Sequence, residues 1–110
     1  MGTRKKRSDR NHLIYLITCV PTSKQYIGVT VMKGVAKKRT LNQRWKAHCY
    51  KALTLRENWA LPKAIRKYGA DNFTVEILET IRGKEAAFAA EAQLINELCT
   101  ELNTRKKQSA

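Results

Sequence analysis

A glutamate interrupts the apolar side of the last helix that the sequence predicts, over residues 84–102. At about 100° per residue, Glu91 lies at the centre of the stripe formed by the apolar side chains of this helix. An ionised carboxylate in such a place costs on the order of several kcal/mol unless a positive charge meets it. Two interpretations stay open: an ion pair with a core Arg or Lys, and a metal ligand at the floor of a cleft. The stripe comprises Ala87, Phe88, Leu94, Ile95, Leu98 and Leu102.

A second pair of polar side chains occurs in an earlier predicted helix. Arg44 and His48 are four residues apart and therefore stack on one side of it. His48 falls within the sector occupied by Leu41, Trp45 and Ala52. It is either a hydrogen-bonded core histidine or one of a basic pair that binds a phosphate. In the second case, the arginine would hydrogen-bond to the phosphate oxygens and the histidine would share a proton with the phosphate.

Two apolar runs separated by a short polar turn predict a β-hairpin. The runs cover residues 13–20 and 25–31, and the second is rich in β-branched side chains. The turn between them has the composition Pro-Thr-Ser-Lys. Across such a turn, Val20 is expected to pair with Gln25.

That pairing brings two tyrosines to the same face of the hairpin. Cys19 would face Tyr26, and Tyr15 lies on their side because side chains alternate along a strand. Gly28 would leave the face open, since it has no side chain. The tyrosines are either ordinary strand aromatics or part of a site.

Capping and periodicity signals predict the remaining elements. Residues 33–39 have the composition of a basic loop, and Thr40 followed by Gln43 has the capping-box pattern of a helix start. Asn58 can cap a second helix that Gly69 ends. The predicted fold class is α+β, a small three-stranded antiparallel sheet flanked by helices in the order β-β-α-α-β-α. The helices are predicted at 40–55, 58–68 and 84–102 and the third strand at 73–78, in a domain of residues 12–104 with basic tails at 1–11 and 105–110.

The chain carries 22 Lys and Arg against 9 Asp and Glu, a net charge of +13, and the excess is unevenly distributed. No acidic residue occurs between Asp9 and Glu57, whereas the other eight acids lie from Glu57 to Glu101. An uninterrupted basic surface is typical of a protein that binds a phosphate backbone, and a solvated basic face is the alternative. DNA is the predicted partner, contacted by Lys33, Lys37, Lys38, Arg39, Lys46 and Lys51.

The cysteines and the start of the chain indicate a protein of the cytoplasm. Cys19, Cys49 and Cys99 are too widely spaced for a zinc knuckle, and their apolar surroundings predict buried reduced thiols. The charged start is unlike a secretory signal, and the apolar run after it is too short to cross a membrane. No membrane partner is expected.

Five motifs in chain order resemble the GIY-YIG nuclease family over residues 12–104. The likeness is closest to the catalytic domains of phage and intron-encoded homing endonucleases. One position departs from the family pattern, because Leu13 stands where the first motif has glycine. The matching stretches are LIY at 13–15 with YIG at 26–28, RWKAH at 44–48, AIRKYG at 64–69 with NF at 72–73, EAQLI at 91–95, and LN at 102–103.

The resemblance implies a metal-dependent DNA endonuclease that hydrolyses phosphodiester bonds, by nicking or by double-strand cleavage. Glu91 matches the family's metal-binding glutamate and would hold one Mg²⁺, or Mn²⁺ in its place, with water and phosphate oxygens as the other ligands. The lack of clustered acids in the first half of the chain disfavours a two-metal site. Asn103 matches the family's late asparagine and would position the helix of Glu91 or a phosphate.

The resemblance also implies catalytic roles for the hairpin and the first helix. Tyr15 is the predicted general base. Because free tyrosine titrates near about pH 10, it would need help from the imidazole of His48 and the charge of Arg44. Tyr26 would orient the attacking water or hold the scissile phosphate. Arg44 would neutralise charge that develops on the non-bridging oxygens.

Target choice and the wider function stay open. Homing members of the family usually carry a DNA-recognition region after the nuclease domain, and only residues 104–110 follow the last matching stretch here. We therefore expect either an isolated catalytic domain or a nuclease whose target choice is loose or comes from a separate specificity element, and a dimer is one way to cut both strands. The likeness favours a mobile-element or phage origin and a bacterial or phage-infected host cell. The alternatives are a structure-specific DNA repair nuclease and a catalytically inactive nucleic-acid-binding protein in which Glu91 forms a core salt bridge.

Overall fold

The computed structural model of the protein describes residues 10–32 and 36–103. Within these residues, three strands and three helices follow one another. Short 3-10 turns at Ala70–Asn72 and Glu101–Asn103 precede the third strand and follow the last helix. The predicted α+β class and the order β-β-α-α-β-α are confirmed. The elements are β1 (Asn11–Cys19), β2 (Lys24–Val31), α1 (Lys37–Leu53), α2 (Ala60–Tyr68), β3 (Phe73–Arg82) and α3 (Lys84–Leu98).

The sheet is antiparallel and has the strand order β2-β1-β3, so β1 is its central strand. On one face, α1 and α2 pack over a cluster that includes Tyr15, Ile17 and Cys19. On the other face, α3 packs against Ile14 and Leu16. Because both faces are covered, β1 is buried along most of its length, and its continuous apolar run follows from that position.

The register of the hairpin differs from the predicted one by two residues. Cys19 pairs with Lys24, whereas Val20 was expected to pair with Gln25. The turn keeps the predicted length of four residues but begins one residue earlier, at Val20. Within it, Ser23 adopts a φ of 63°, and its backbone N–H donates to the carbonyl of Cys19 at 2.7 Å. A shift of two residues keeps every side chain on its predicted face, since the side-chain period of a strand is two.

Helix α1 begins three residues before the predicted start. The hydroxyl of Thr40 donates to the carbonyl of Ala36 at 3.0 Å, so Thr40 lies inside the first turn and the predicted capping box does not form. Lysine and arginine are good helix formers, and they extend the helix into the predicted loop. Lys33 of that loop lies outside the described residues. The exposed first residues of the helix are Lys37, Lys38 and Arg39.

Strand β3 extends four residues beyond its predicted end at 78. Tyr15 pairs with Ile77, but the preceding residue Ile14 pairs with Glu79, so Leu78 has no partner residue in β1. Such a bulge shifts the alternation of side chains between the two faces. The strand was predicted at residues 73–78 from its alternating apolar side chains. This alternation stops at the bulge, although the strand continues.

Helix α3 is shorter than predicted, and fewer residues of its predicted apolar stripe pack against the sheet. It ends at Leu98, where Cys99 takes a left-handed conformation with a φ of 52°. Phe88 and Leu98 belong to the predicted stripe but are 46% and 45% exposed, whereas Ala87 is fully buried. Ala87 is buried, and Ala90, Glu91, Leu94 and Ile95 are half-buried, so Glu91 lies within the side of the helix that packs on the sheet.

The three cysteines are free thiols in different environments. Cys19 is buried in the sheet, Cys49 is half-buried and Cys99 is exposed. The predicted burial is wrong for Cys99, because α3 ends before it and the chain turns there.

Helix α2 begins two residues after the predicted cap Asn58, at Ala60, and no side chain caps it. It ends at Tyr68 as predicted, where Gly69 takes a φ of 87°. That positive φ favours glycine, which explains why the helix ends there.

Candidate active site

Tyr15 lies at the centre of the candidate site, in the middle of the central strand, and only 1% of its surface is exposed. Its hydroxyl lies 2.9 Å from Nε2 of His48 and accepts a hydrogen bond of 3.1 Å from Nε of Arg44. Both partners belong to α1, where their spacing of four residues stacks them on one side. The predicted basic pair therefore meets the predicted tyrosine at a single oxygen atom.

Tyr26 lies beside Tyr15 on the same face of the hairpin. It pairs with Ile17 and not with Cys19, as the corrected register requires. The centroids of the two tyrosine rings are 6.2 Å apart, and the Tyr26 ring packs edge-on against His48 at 5.3 Å. Each tyrosine influences the pKa of the other. Both predicted tyrosines and the histidine thus form one cluster.

The hydrogen bonds around Tyr15 have a definite direction. A guanidinium N–H can only donate, so Arg44 donates to the Tyr15 oxygen. Because the Tyr15 oxygen accepts this bond, its own hydrogen is available for Nε2 of His48.

Burial dominates the acidity of the tyrosine pair. Desolvation raises the pKa of Tyr15 and the pKa of Tyr26 above the ordinary value. The positive charge of Arg44 opposes this increase at both tyrosines, but its hydrogen bond acts at Tyr15 alone. The phenolate form of Tyr15 therefore has more stabilising interactions than that of Tyr26.

Gly28 is the partner residue of Tyr15 across the hairpin. A Cβ atom at this position would overlap the ring and the hydroxyl of Tyr15 and would come within 2.8 Å of Cε1 of Tyr26. The sequence predicted that glycine leaves this face open. The two tyrosine rings occupy that space, and any larger residue would displace them.

Glu91 is half-buried on α3, and its negative charge raises the pKa of both Tyr15 and Tyr26. The glutamate and the tyrosine pair therefore lie within electrostatic reach of each other. Desolvation raises the pKa of the Glu91 carboxyl itself. Within residues 10–32 and 36–103, no Lys or Arg forms an ion pair with this carboxylate. The core salt bridge that the sequence left open is thus not found in this part of the chain.

Asn103 is bonded to the hairpin, whereas the sequence assigned it to the helix of Glu91 or to a phosphate. Its amide oxygen accepts a 2.7 Å bond from the N–H of Ile27, and its amide nitrogen donates a 2.7 Å bond to the carbonyl of the same residue. Thr100 donates to the same amide oxygen at 2.6 Å. Since β2 is an edge strand, Asn103 satisfies backbone groups that would otherwise face solvent. It fixes the strand between Tyr26 and Gly28.

Leu13, which stands in place of the motif glycine, is fully buried in β1. It pairs with Thr30 on one side and Thr80 on the other. The fold accommodates this larger side chain without separating Tyr15 from its basic partners.

The basic residues of α1 point in two directions. Lys37 and Lys51 are each seven residues from Arg44, which at about 100° per residue returns to nearly the same side of the helix. Lys51 is half-buried on that side, and Lys37 is exposed. The other predicted DNA contacts on this helix are exposed and lie about 120° or more away from Arg44: Lys38, Arg39 and Lys46.

Trp59 is not among the site residues predicted from the sequence, but its ring centroid lies 5.8 Å from that of Tyr26. One signal was present in the sequence. Glu57 is the only acidic residue between Asp9 and Asp71, and it precedes this tryptophan by two residues. An isolated acid beside an aromatic residue in a basic segment indicates a specific local contact.

Comparison with known proteins identifies the family. No curated protein and no solved structure matches the chain significantly. Among the described residues, no helix is long and apolar enough to cross a membrane. The model of the GIY-YIG catalytic domain matches residues 11–106, a stretch that contains both tyrosines, the basic pair of α1 and Glu91. The chain therefore belongs to the GIY-YIG family, a family of nuclease domains that hydrolyse phosphodiester bonds, and this membership implies a DNA substrate.

Proposed function

We propose that the protein is a metal-dependent DNA endonuclease of the homing or mobile-element type. The observation that carries the proposal is the Tyr15 hydroxyl, which accepts from Arg44, contacts His48 and lies within reach of the Glu91 charge. A buried hydroxyl with a proton acceptor on one side and a cation on the other is suited to proton transfer. The homing type rests on the likeness of the motifs at 64–69 and 72–73 to those of homing members.

Tyr15 acts as the general base in this proposal. Its proton passes to Nε2 of His48, and the Arg44 guanidinium stabilises the phenolate that forms. The phenolate then takes a proton from the attacking water, whose oxygen forms a bond to phosphorus while the bond to the leaving 3′ oxygen breaks. Tyr26, whose ring lies beside that of Tyr15, is placed to orient the water or the scissile phosphate.

Arg44 has a second role in the proposal. Its guanidinium carries several N–H donors, and one of them is engaged with Tyr15. The remaining donors can neutralise charge on the non-bridging phosphate oxygens as it develops in the transition state. Removing a donor of this kind typically lowers the rate by about 10²- to 10³-fold.

Glu91 would hold one Mg²⁺, or Mn²⁺ in its place. A carboxylate oxygen is a ligand that Mg²⁺ prefers, and one or two carboxylates with water and phosphate oxygens are enough for it. In the described part of the chain, no three His, Cys, Asp or Glu side chains lie close enough to form a metal cage. A desolvated carboxylate without a positive partner is a favourable place for a cation. When bound, the ion would supply charge stabilisation at the leaving oxygen.

The nuclease proposal is tested by plasmid nicking with the native chain and with Glu91→Gln, in magnesium and in chelator. We expect the native chain to convert supercoiled plasmid to the nicked form only in magnesium, and Glu91→Gln to lose at least about 100-fold of that rate. Both proteins should bind the plasmid in a gel-shift assay, since the basic surface is unchanged.

Glu97→Gln is the matched control for this experiment. Glu97 lies on the same helix, is exposed and bonds only to the neighbouring Gln93, so the same charge is removed without a change at the site. Its nicking rate should stay native. Equal nicking by the Glu91 and Glu97 variants would contradict the assignment of the metal to Glu91. Nicking by the native chain in chelator would contradict metal dependence.

A further inference from the structure

Tyr26 is held between two rings. On one side its ring packs edge-on against His48, with centroids 5.3 Å apart. On the other side it packs against Trp59, with centroids 5.8 Å apart and an interplanar angle of 47°. Rotation of the Tyr26 side chain away from Tyr15 would therefore break aromatic contacts on both sides.

Trp59 is itself fixed by neighbouring groups. It immediately precedes α2, where the backbone is extended, and its indole N–H donates to Oε1 of Glu57 at 3.0 Å. Arg66 of α2 donates to the carbonyl of Glu57 at 2.8 Å and to the carbonyl of Ala52 at 2.9 Å. The connection between α1 and α2 is thus bonded at both ends, and it presents the indole ring at a defined place.

The charge pattern of the chain agrees with a specific use of Glu57. It is the only acidic residue between Asp9 and Asp71. An acid in a segment that faces a polyanion weakens binding, yet this carboxylate is retained and accepts a hydrogen bond from the indole. Its position is explained by the contact that it makes with Trp59.

We propose that Trp59 is a positioning residue for Tyr26, whose ring it holds beside the rings of Tyr15 and His48. This inference rests on the proposed function for its effect on cleavage, but not for the contact itself. Trp59 acts through Tyr26 and takes no part in proton transfer. A displacement of about 1 Å at a reacting group can cost about 100-fold in rate. Loss of the ring should therefore slow cleavage and leave plasmid binding unchanged.

The test compares Trp59→Leu, Trp59→Phe and Trp45→Leu in single-turnover nicking of supercoiled plasmid with magnesium. We expect Trp59→Leu to lose about 10- to 100-fold in rate without a change in the protein concentration that gives half-maximal rate. Trp59→Phe keeps an aromatic ring and should recover to within about threefold of native. Each variant is assayed at a temperature at which urea titration shows that it is folded.

Trp45→Leu is the matched control because Trp45 is the other tryptophan of the chain. It packs against Phe73 at 5.6 Å, so the same substitution removes a comparable core ring. This variant should lose stability and keep its rate while folded. Equal loss of rate in Trp45→Leu and Trp59→Leu, or a native rate in Trp59→Leu, would overturn the inference.

Proton NMR of the native chain and the three variants makes the test independent of cleavage. In the native protein we expect ring-current shifts of the Tyr26 protons and nuclear Overhauser contacts between Tyr26 and His48. Trp59→Leu should weaken these contacts, whereas Trp59→Phe and Trp45→Leu should retain them. If the native chain does not nick plasmid, the nuclease proposal fails while the spectra still decide whether Trp59 holds Tyr26. Unchanged Tyr26 contacts in Trp59→Leu would refute the positioning role.

Discussion

A tyrosine hydroxyl is a weak base at neutral pH, and its neighbours determine whether it can be used as one. At Tyr15, burial works against the phenolate and raises the pKa, while Arg44 and Tyr26 work for it. His48 supplies an acceptor for the proton at 2.9 Å. The proposed base is thus kept protonated at rest and is provided with a route by which its proton can leave.

Replacing Gly28 by alanine should displace this hydroxyl. The added methyl group would overlap the Tyr15 ring, and overpacking of this kind costs about 1–3 kcal/mol of stability. We expect a nicking rate at least about 100-fold below native, measured on protein that circular dichroism shows to be folded.

Gly69→Ala provides the control for the Gly28 substitution. Gly69 has a φ of 87°, so alanine there is strained, but the nearest heavy atom to the added Cβ is Nδ2 of Asn72 at 3.9 Å. This variant should lose stability and keep its rate. A native rate in Gly28→Ala would show that the Tyr15 position tolerates a methyl group at residue 28.

Glu91 should reduce the stability of the metal-free protein at neutral pH. Its pKa is raised in the folded state by desolvation. When the pKa of a carboxyl is higher in the folded than in the unfolded state, the protonated carboxyl favours folding at a pH below the unfolded-state pKa. This contribution to stability is lost as the pH rises through the folded-state pKa. In chelator, Glu91→Gln should therefore unfold at a higher urea concentration than native at pH 7, and the difference should shrink towards pH 4.

The same titrations with magnesium separate a metal site from a surface carboxylate. Magnesium should raise the urea midpoint of the native chain at pH 7, because a ligand that binds only the folded state stabilises it. Magnesium should leave the urea midpoint of Glu91→Gln unchanged. A native chain that is more stable than Glu91→Gln in chelator at pH 7 would show that the folded state does not disfavour the ionised Glu91 carboxylate.

At the scale of the elements, α1 links the proposed chemistry to the binding of DNA. The side of this helix that faces β1 carries Arg44 and His48. Lys37 and Lys51 extend that side in both directions, about 10 Å from Arg44 along the helix axis at 1.5 Å per residue. A backbone whose scissile phosphate lies at Arg44 would therefore pass close to both lysines.

The double variant Lys37→Ala/Lys51→Ala should bind DNA more weakly than Lys38→Ala/Lys46→Ala. Both remove two charges from α1, but only the first pair shares the side of Arg44. In a plot of log affinity against log salt concentration, we expect the slope of the first variant to be smaller in magnitude by about two, because two phosphate contacts are lost. Fluorescence anisotropy with a labelled duplex measures this slope. Equal effects of the two variants would mean that binding follows total charge and not the side of the helix.

At the scale of the whole molecule, the two faces of the sheet have different roles. The tyrosine pair and the basic helix α1 lie on one face, whereas α3 covers the other and brings Glu91 within electrostatic reach of the tyrosines. Asn103 joins the segment after α3 to the edge of β2. The site is therefore assembled from both sides of one small sheet.

The described residues contain one such cluster, which predicts that the two strands of DNA are cut in separate events. A time course on supercoiled plasmid should show nicked circles first and linear DNA later, with linear DNA formed faster at higher protein concentration. Gel electrophoresis of the products follows both forms. Linear DNA that forms without a nicked intermediate at low protein concentration would instead require a dimer that acts on both strands at once.

Local patterns in the sequence were enough to predict the element order, the shared face of Tyr15 and Tyr26, and the stacking of Arg44 with His48. These depend on the periods of two and 3.6 residues, which are fixed by backbone geometry. The start of α1, the bulge in β3 and the width of the α3 stripe could not be read in this way, because each depends on what packs against the element.

The sequence by itself determined the candidate residues for the chemistry and the family that the chain resembles. Only the tertiary structure decided how they combine: that the Tyr15 hydroxyl accepts from Arg44 and contacts His48, that Asn103 bonds the backbone of Ile27, and that Trp59 packs on Tyr26. These contacts join residues that lie far apart in the chain, by 29 positions for Arg44 and Tyr15 and by 76 for Asn103 and Ile27. Their geometry follows from the packing of helices on the sheet, which no local pattern contains.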